Sequence, residues 1–208
     1  MKKESQGAKE RVGGFLFVGN HLALDLLNTR IIPDQTSVEL LPDTAALEKW
    51  LMAAGLVTSA KSKGLVRRWR DSEEARRFLK ELRGFRERLR AAVIQHEAGA
   101  TISDRFLAEL NRLLVEYPTR IAVSAKGGKL QREARFEPST PREVWAPIIA
   151  ATADLLTEAE PLRIRKCESC IMHFYDVSKK SSRRWCSMNI CGNRLKVAAY
   201  QKRRRAVE

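Results

Sequence analysis

Between Asp71 and His96 the apolar residues return every three or four positions: Ala75, Phe78, Leu79, Leu82, Phe85, Leu89, Ala92 and Val93. That period predicts one long helix with an apolar stripe. Asp71 and Glu74 have capping-box spacing at its start. Gly84 interrupts the stripe, where a close helix crossing would accept it. A second helix is predicted from Ser103 to Glu116, with Phe106, Leu107, Leu110, Leu113 and Leu114 inward and Tyr117-Pro118 as its end. Asp43 caps a third over Thr44 to Ala54, which carries Leu47, Trp50 and Leu51 and stops at Gly55. Thr140-Pro141-Arg142-Glu143 starts a fourth, with proline at the first helical position and glutamate two later. It carries Trp145, Ile148, Ile149, Ala153, Leu155 and Leu156 and stops near Pro161.

Elsewhere the period drops to two. Arg120 to Phe136 alternates around Lys126-Gly127-Gly128 and predicts a β-hairpin. Phe15 to Val18 predicts a short strand, Gly19-Asn20 a turn, and His21 to Asn28 a short helix capped by Asn20. The stretch IIPDQTSVELLP is predicted as loop. The fold class expected is mainly α with a small β-hairpin component (α+β). An α-rich N-terminal domain precedes a small C-terminal module. The expected boundaries are a flexible basic tail over 1–14, the α-rich domain over 15–160, and that module over 161–208.

Composition changes this picture little. The chain has 208 residues, 44% of them hydrophobic and 31% charged, as in a globular protein rather than a disordered one. The opening MKKESQGAKERVGG lacks an apolar signal-peptide core. No stretch approaches the ~18 apolar residues of a membrane span. The expectation is a cytoplasmic protein with no membrane partner.

Charge changes it more. The formal net charge is +14. From Pro161 to Glu208 there are 13 Lys/Arg against 3 Asp/Glu, a net of +10; the first 160 residues hold 26 against 22, a net of +4. A polyanion, most simply nucleic acid, is the partner such a segment suits.

All four cysteines lie in that same segment. Cys167 and Cys170 form a CxxC pair, and Cys186 and Cys191 form a second pair 15 residues further on. Two local pairs closing a loop offer zinc a tetrahedron of thiolates. Disulfides are disfavoured in a cytosolic chain, a redox CxxC needs a βαβ setting, and free structural thiols need no clustering. One structural zinc ion is therefore the expected cofactor, with Cys191 in the first turn of a closing helix and Asn189 as a candidate cap. His173 is a less favoured substitute ligand. Phe174, Tyr175, Trp185, Ile190 and Leu195 are the expected core of a module too small to fold without metal. A closed four-thiolate site has no open position for catalysis.

Basic residues surround the metal. Lys179, Lys180, Ser182, Arg183 and Arg184 lie between the pairs, and Asn193, Arg194, Lys196, Lys202, Arg203 and Arg204 follow. These are the candidate nucleic-acid contacts, against the alternative of a solvated cationic face. Arg184, Asn193 and Arg194 are the candidates for reading base edges.

Cys191-Gly192-Asn193-Arg194, preceded by CxxC and Arg184-Trp185-Cys186, resembles the bacterial CGNR zinc finger. GNHLALDLLNT, Gly19 to Thr29, resembles the opening of the ABATE domain that usually precedes it. The two resemblances cover nearly the whole chain. They imply a stress-induced transcription regulator: a DNA-binding finger behind a domain that senses a small-molecule effector. Homodimerisation through that domain is a separate expectation, because a single small finger reads few base pairs and two-fold symmetry is the usual remedy. Asp25, Asn28, Thr29 and Arg30 are candidates to line a ligand pocket; equally, Asp25 could pair with an arginine and Asn28-Thr29 could end the helix. No Ser-His-Asp order, phosphate loop or dinucleotide fingerprint is present, so no enzyme is expected. The rival expectations are an RNA-directed or non-specific nucleic-acid binder and, less favoured, an enzyme domain tethered by its finger.

Overall fold

The long helix forms the centre of one of two compact units in the computed structural model, which describes residues 10–31, 36–193, 197 and 204. That unit spans 41–158. Its elements in chain order are α1 (Thr44–Ala53), α2 (Ala60–Trp69), α3 (Glu73–Glu97), α4 (Asp104–Glu116), a hairpin of β1 (Ile121–Lys126) and β2 (Lys129–Ala134), a 3₁₀ turn (Pro141–Val144) and α5 (Trp145–Thr157). The stripe on α3 is buried as its period requires, through Ala75, Phe78, Leu82, Phe85, Leu89 and Val93. Trp145 lies edge-on to both Phe78 (5.4 Å between ring centres) and Phe85 (5.1 Å), and Phe85 also meets Phe106 of α4 at 5.7 Å. Such edge-to-face contacts add to the area those rings bury.

Four details differ from the sequence expectation, the first being that Leu107, expected inward on α4, is exposed. The cap of α3 is Ser72, whose hydroxyl accepts from Ala75 N–H, so the Asp71–Glu74 capping box does not form. Asp71 instead pairs with Arg70. Gly84 stands at no helix crossing: a Cβ there would approach only the Arg88 guanidinium, at 3.3 Å. Helix α2 was not expected from the pattern at all, although Ser59 caps it as serine commonly does.

The second unit is assembled from both ends of the chain, residues 1–40 and 159–208. Arg11–Val12 (β3) pairs antiparallel with Phe15–Leu16 (β4) across Gly13-Gly14, both at positive φ. Residues 10–14 are thus the start of a hairpin rather than the end of a tail; residues 1–9 lie outside the described residues. Leu22–Leu27 is a short helix, α6, whose cap is His21 and not Asn20: the His21 Nδ1 accepts from Ala23 N–H. Asn20 sits in the left-handed region (φ 55°), which asparagine tolerates well. Within the predicted loop, Arg30–Ile31 (β5) pairs with Val38–Glu39 (β6). After residue 158 the chain adds a 3₁₀ turn (Pro161–Arg163), the antiparallel pair Ile164–Lys166 (β7) and His173–Tyr175 (β8), and a π-helical turn over Met188–Gly192. Among the described residues the architecture is therefore helix-dominated with four small antiparallel strand pairs. No helix of the described residues is long and apolar enough to cross a membrane.

Candidate metal centre

The β7–β8 hairpin turns through Cys167–Cys170. Cys167 N–H donates to the Met172 carbonyl (2.8 Å), which closes the turn and aims both sulfurs to one side. Glu168 N–H donates to the Arg184 carbonyl (3.1 Å), tying this turn to the stretch that delivers Cys186. Cys191 comes from the π-turn. Ser187, not Asn189, caps that turn: its Oγ accepts from Asn189 and Ile190 N–H (3.0 and 3.3 Å) and donates to Glu10 (2.6 Å).

The four sulfurs lie within 4.8 Å of one another, with Cys170–Cys186 at 3.7 Å and Cys186–Cys191 at 3.6 Å. Zinc–sulfur bonds of ~2.3 Å in a tetrahedron require sulfurs about 3.8 Å apart. The site therefore fits one zinc ion as it stands. Cys167, Cys186 and Cys191 are buried and Cys170 is half-buried, and the cysteines are free of disulfides. With protons alone, hydrogen bonds from Cys170 and Cys186 hold the Cys167 thiol far below its usual range. The same contact with Cys167 pushes Cys170 up to about 12 and raises Cys186 as well. A divalent cation bound among these sulfurs displaces their protons, which is what zinc uptake by thiols entails.

The apolar shell of the site draws on distant sequence. Phe174 and Met172 are buried beside the cysteines as a finger core should be, and Trp185 and Ile190 pack against them. Leu16, Val18 and Ile31 complete the cluster from the other end of the chain. Tyr175, expected in this core, is half-buried at its edge, and Leu195 lies outside the described residues.

Polar contacts join the same two segments. The Asn28 amide, 1% exposed, pairs with one residue's backbone: Nδ2 donates to the His173 carbonyl (2.9 Å) and Oδ1 accepts from His173 N–H (3.1 Å). Tyr175 N–H donates to the Gly19 carbonyl (2.8 Å), and Asn20 Nδ2 donates to the Tyr175 carbonyl (2.9 Å). The outer edge of β8, which would otherwise be open, is thereby covered. Asp25 accepts from Gly19 N–H (2.8 Å); burial pushes its carboxyl up to about 7, against that hydrogen bond. Thr29 Oγ1 donates to the Leu26 carbonyl and Arg30 Nε to Ser37. Of the four candidate pocket residues, Asn28 and Thr29 are buried and committed to backbone groups of this unit. The covering role of Gly19–Asn20 and Asn28 was not read from sequence; an amide's two-sided hydrogen bonding is its only signal there.

The candidate nucleic-acid residues separate into groups. Asp176, fully buried, holds a loop at both ends: its carboxylate accepts from Ser178 N–H (2.9 Å) and Arg183 N–H (2.8 Å). Burial opposes its charge, but these hydrogen bonds and that of the Ser178 hydroxyl hold its carboxyl below the usual range. Arg163 donates to the Asp176 and Ser178 carbonyls (3.0 and 3.1 Å). Lys179, Lys180 and Ser182 are exposed on this loop. Arg184 is exposed but pairs with Glu168 (2.6 Å) and lies over Trp185. Asn193 and Arg204 are exposed, and Arg183 is turned inward. Arg194, Lys196, Lys202 and Arg203 lie outside the described residues.

These features define the class: a protein with a closed tetrathiolate centre that binds one structural zinc ion. The particular family follows from comparison. The ABATE family model, described as "Putative stress-induced transcription regulator", matches residues 20–159, and the CGNR zinc finger model matches residues 163–204. The chain belongs to the ABATE family and carries a CGNR zinc finger. No curated protein matches it. The ABATE match begins at Asn20, so its opening stretch, residues 20–40, falls in the metal-bearing unit.

Proposed function

We propose that this protein is a cytoplasmic transcriptional regulator that binds duplex DNA through its zinc finger. The observation that carries the reading is the Asp176-anchored loop, which offers Lys179, Lys180 and Ser182 to solvent beside the metal centre. A loop fixed at both ends presents its lysines without a large ordering cost on binding. It lies in the segment that holds +10 of the chain's formal net charge of +14. Arg184 is the base-reading candidate among the described residues; a phosphate or a guanine edge must compete with Glu168 for its guanidinium. The reading assigns the zinc no catalytic step, because four thiolates leave it no open position. The unit spanning 41–158 is assigned effector sensing or homodimerisation.

The test is selection of genomic DNA fragments by the zinc-loaded protein at ~150 mM salt, where non-specific phosphate binding is weak. Enrichment of a few related sites supports the reading, and palindromic sites support a dimer. Recovery without enrichment, or preference for structured RNA, overturns it. Binding that neutralises about 5 phosphates should give a log–log salt slope near −4.5.

A further inference from the structure

In sequence Arg183 is one more cation of a basic run. Its side chain does not join that run. Nε donates to the Trp185 carbonyl (2.8 Å), and one Nη donates closely to the Cys186 carbonyl and reaches the Val18 carbonyl at 3.5 Å. The guanidinium lies 4.4 Å over the ring of Phe174, which is fully buried. Its own N–H is held by Asp176 at 2.8 Å. Backbone, ring face and three carbonyls therefore fix this one group.

The second cysteine pair needs such a support. Cys167 and Cys170 are held by the β7–β8 ladder. Among the described residues, the 182–187 stretch that delivers Cys186 belongs to no strand. A buried carbonyl without a ladder partner requires another donor. Arg183 supplies donors to the ligand residue's carbonyl and to the one before it. There is also a matter of charge. Zinc with four thiolates carries a formal charge near −2, and a fixed cation bonded to the carbonyl of a ligand residue three positions away lowers the cost of holding that charge in an apolar shell.

We propose that Arg183 is a positioning residue of the zinc centre: it clamps the Cys186 ligand by its carbonyl and balances the charge of the tetrathiolate, and it is not a nucleic-acid contact. The metal arm of this inference stands independently of DNA binding. Groups that orient metal ligands from behind change metal affinity by about 10–100-fold when removed.

The test uses the full chain and two variants, Arg183→Gln and Arg183→Lys. Zinc transfer to a chromophoric chelator is timed, and the cobalt-substituted protein's thiolate charge-transfer and d–d bands are recorded. Arg183→Gln should release zinc about tenfold faster or more, with shifted d–d bands that report altered ligand geometry. Arg183→Lys, which keeps the charge but not the planar fork, should fall between Gln and wild type. If Arg183→Gln does not fold, Arg183→Lys alone decides: accelerated release with an altered cobalt spectrum supports the proposal. Wild-type release and spectrum in the folded variants overturn it. A second arm compares salt dependence of duplex DNA binding at full zinc loading. Lys179→Gln should lower the log–log slope by about 0.9, and Arg183→Gln should leave it unchanged. A slope loss of about 0.9 in Arg183→Gln with zinc retention intact also overturns the proposal, by making Arg183 a phosphate contact.

Discussion

The two units of this chain solve the same problem in opposite ways. The 41–158 unit buries large side chains presented by helices close in sequence, with α3 as the common partner of α1, α4 and α5. Its core is broad and includes Trp50, Phe78, Phe85, Trp145 and many leucines. The metal-bearing unit has a small apolar cluster to which all four cysteines belong. Its strands are two or three residues long, far below what sheet pairing needs for independent stability. It holds together through a metal and through contacts between segments about 150 residues apart in sequence. One unit is stabilised by area, the other by cross-links.

The largest expected effect breaks the comparison at the metal. Cys191→Ser removes one of four ligands from a site whose zinc contributes roughly 10–16 kcal/mol of apparent folding free energy in comparable peptides. Amides of 159–193 should lose hydrogen-exchange protection, and so should those of 10–31, because they share the cluster. Amides of α3 should keep theirs. Full zinc stoichiometry in the variant would show that the ligand set is different. Protection lost in 159–193 but kept in 10–31 would show that the N-terminal segment is held by something other than the finger.

Asn28→Ala tests the cross-link without touching the metal. It strands the His173 N–H and carbonyl in a buried site, at about 1–3 kcal/mol for each unsatisfied group. We expect the metal-bearing unit to lose about 3 kcal/mol while α3 is unchanged, read again by hydrogen exchange. A loss below about 1 kcal/mol would mean that water or a neighbour replaces the amide and that the covering of β8 is incidental.

Which parts of this molecule were legible beforehand follows from the same contrast. In the helical unit periodicity located the stripe on α3 and most of the inward faces of α4 and α5, because the information is local; Leu107, expected inward on α4, is exposed. The hairpin at Lys126-Gly127-Gly128 was legible for the same reason. What failed there was fine: a cap one residue off, and a helix, α2, whose polar sequence AKSKGLVRRW carries too few apolar positions to show a stripe. The cysteine ligands were legible because thiolate spacing encodes metal chemistry directly. The rest of the site was not. That Leu16 and Val18 line the metal's shell, and that Asn28 clamps β8, depends on which distant segments meet; no local pattern reports it. The inward turn of Arg183 was hidden for a related reason: a charge run shows sign, and says nothing of which side chain turns inward.

Asp25 sharpens the comparison through pH. Its folded-state value, about 7, lies above the ordinary 3.8, so between those values the folded protein holds the proton more tightly than the unfolded chain. Its contribution to stability must therefore fall as pH rises from about 4 to 7, and above that the penalty is complete. We expect the metal-bearing unit to lose on the order of 2 kcal/mol between pH 5 and pH 8 from this group. Asp25→Asn keeps the oxygen that accepts from Gly19 and removes the charge, so the variant should lack that slope and exceed wild type at pH 8. Parallel pH profiles for the two proteins, measured by hydrogen exchange of 22–27, would refute the assignment.

The smallest effects come from one substitution made in each unit, and they should have opposite signs. At Gly19 a Cβ would lie 2.8 Å from Leu24 Cβ, 2.8 Å from Asp25 Oδ1 and 3.0 Å from Asp25 N, so Gly19→Ala must push the turn off the helix that supports it. A cost of about 1–2 kcal/mol to the metal-bearing unit is expected. At Gly84 the only near atom belongs to the end of a flexible arginine, and the residue lies mid-helix. Gly84→Ala removes a poor helix former and should stabilise the 41–158 unit by about 0.5–1 kcal/mol once Arg88, paired with Glu109, gives by a few tenths of an ångström. Paired denaturation curves, each read in its own unit, decide it. Destabilisation by Gly84→Ala would mean that the Arg88–Glu109 bridge between α3 and α4 cannot yield, which would make that unit, too, dependent on a cross-link.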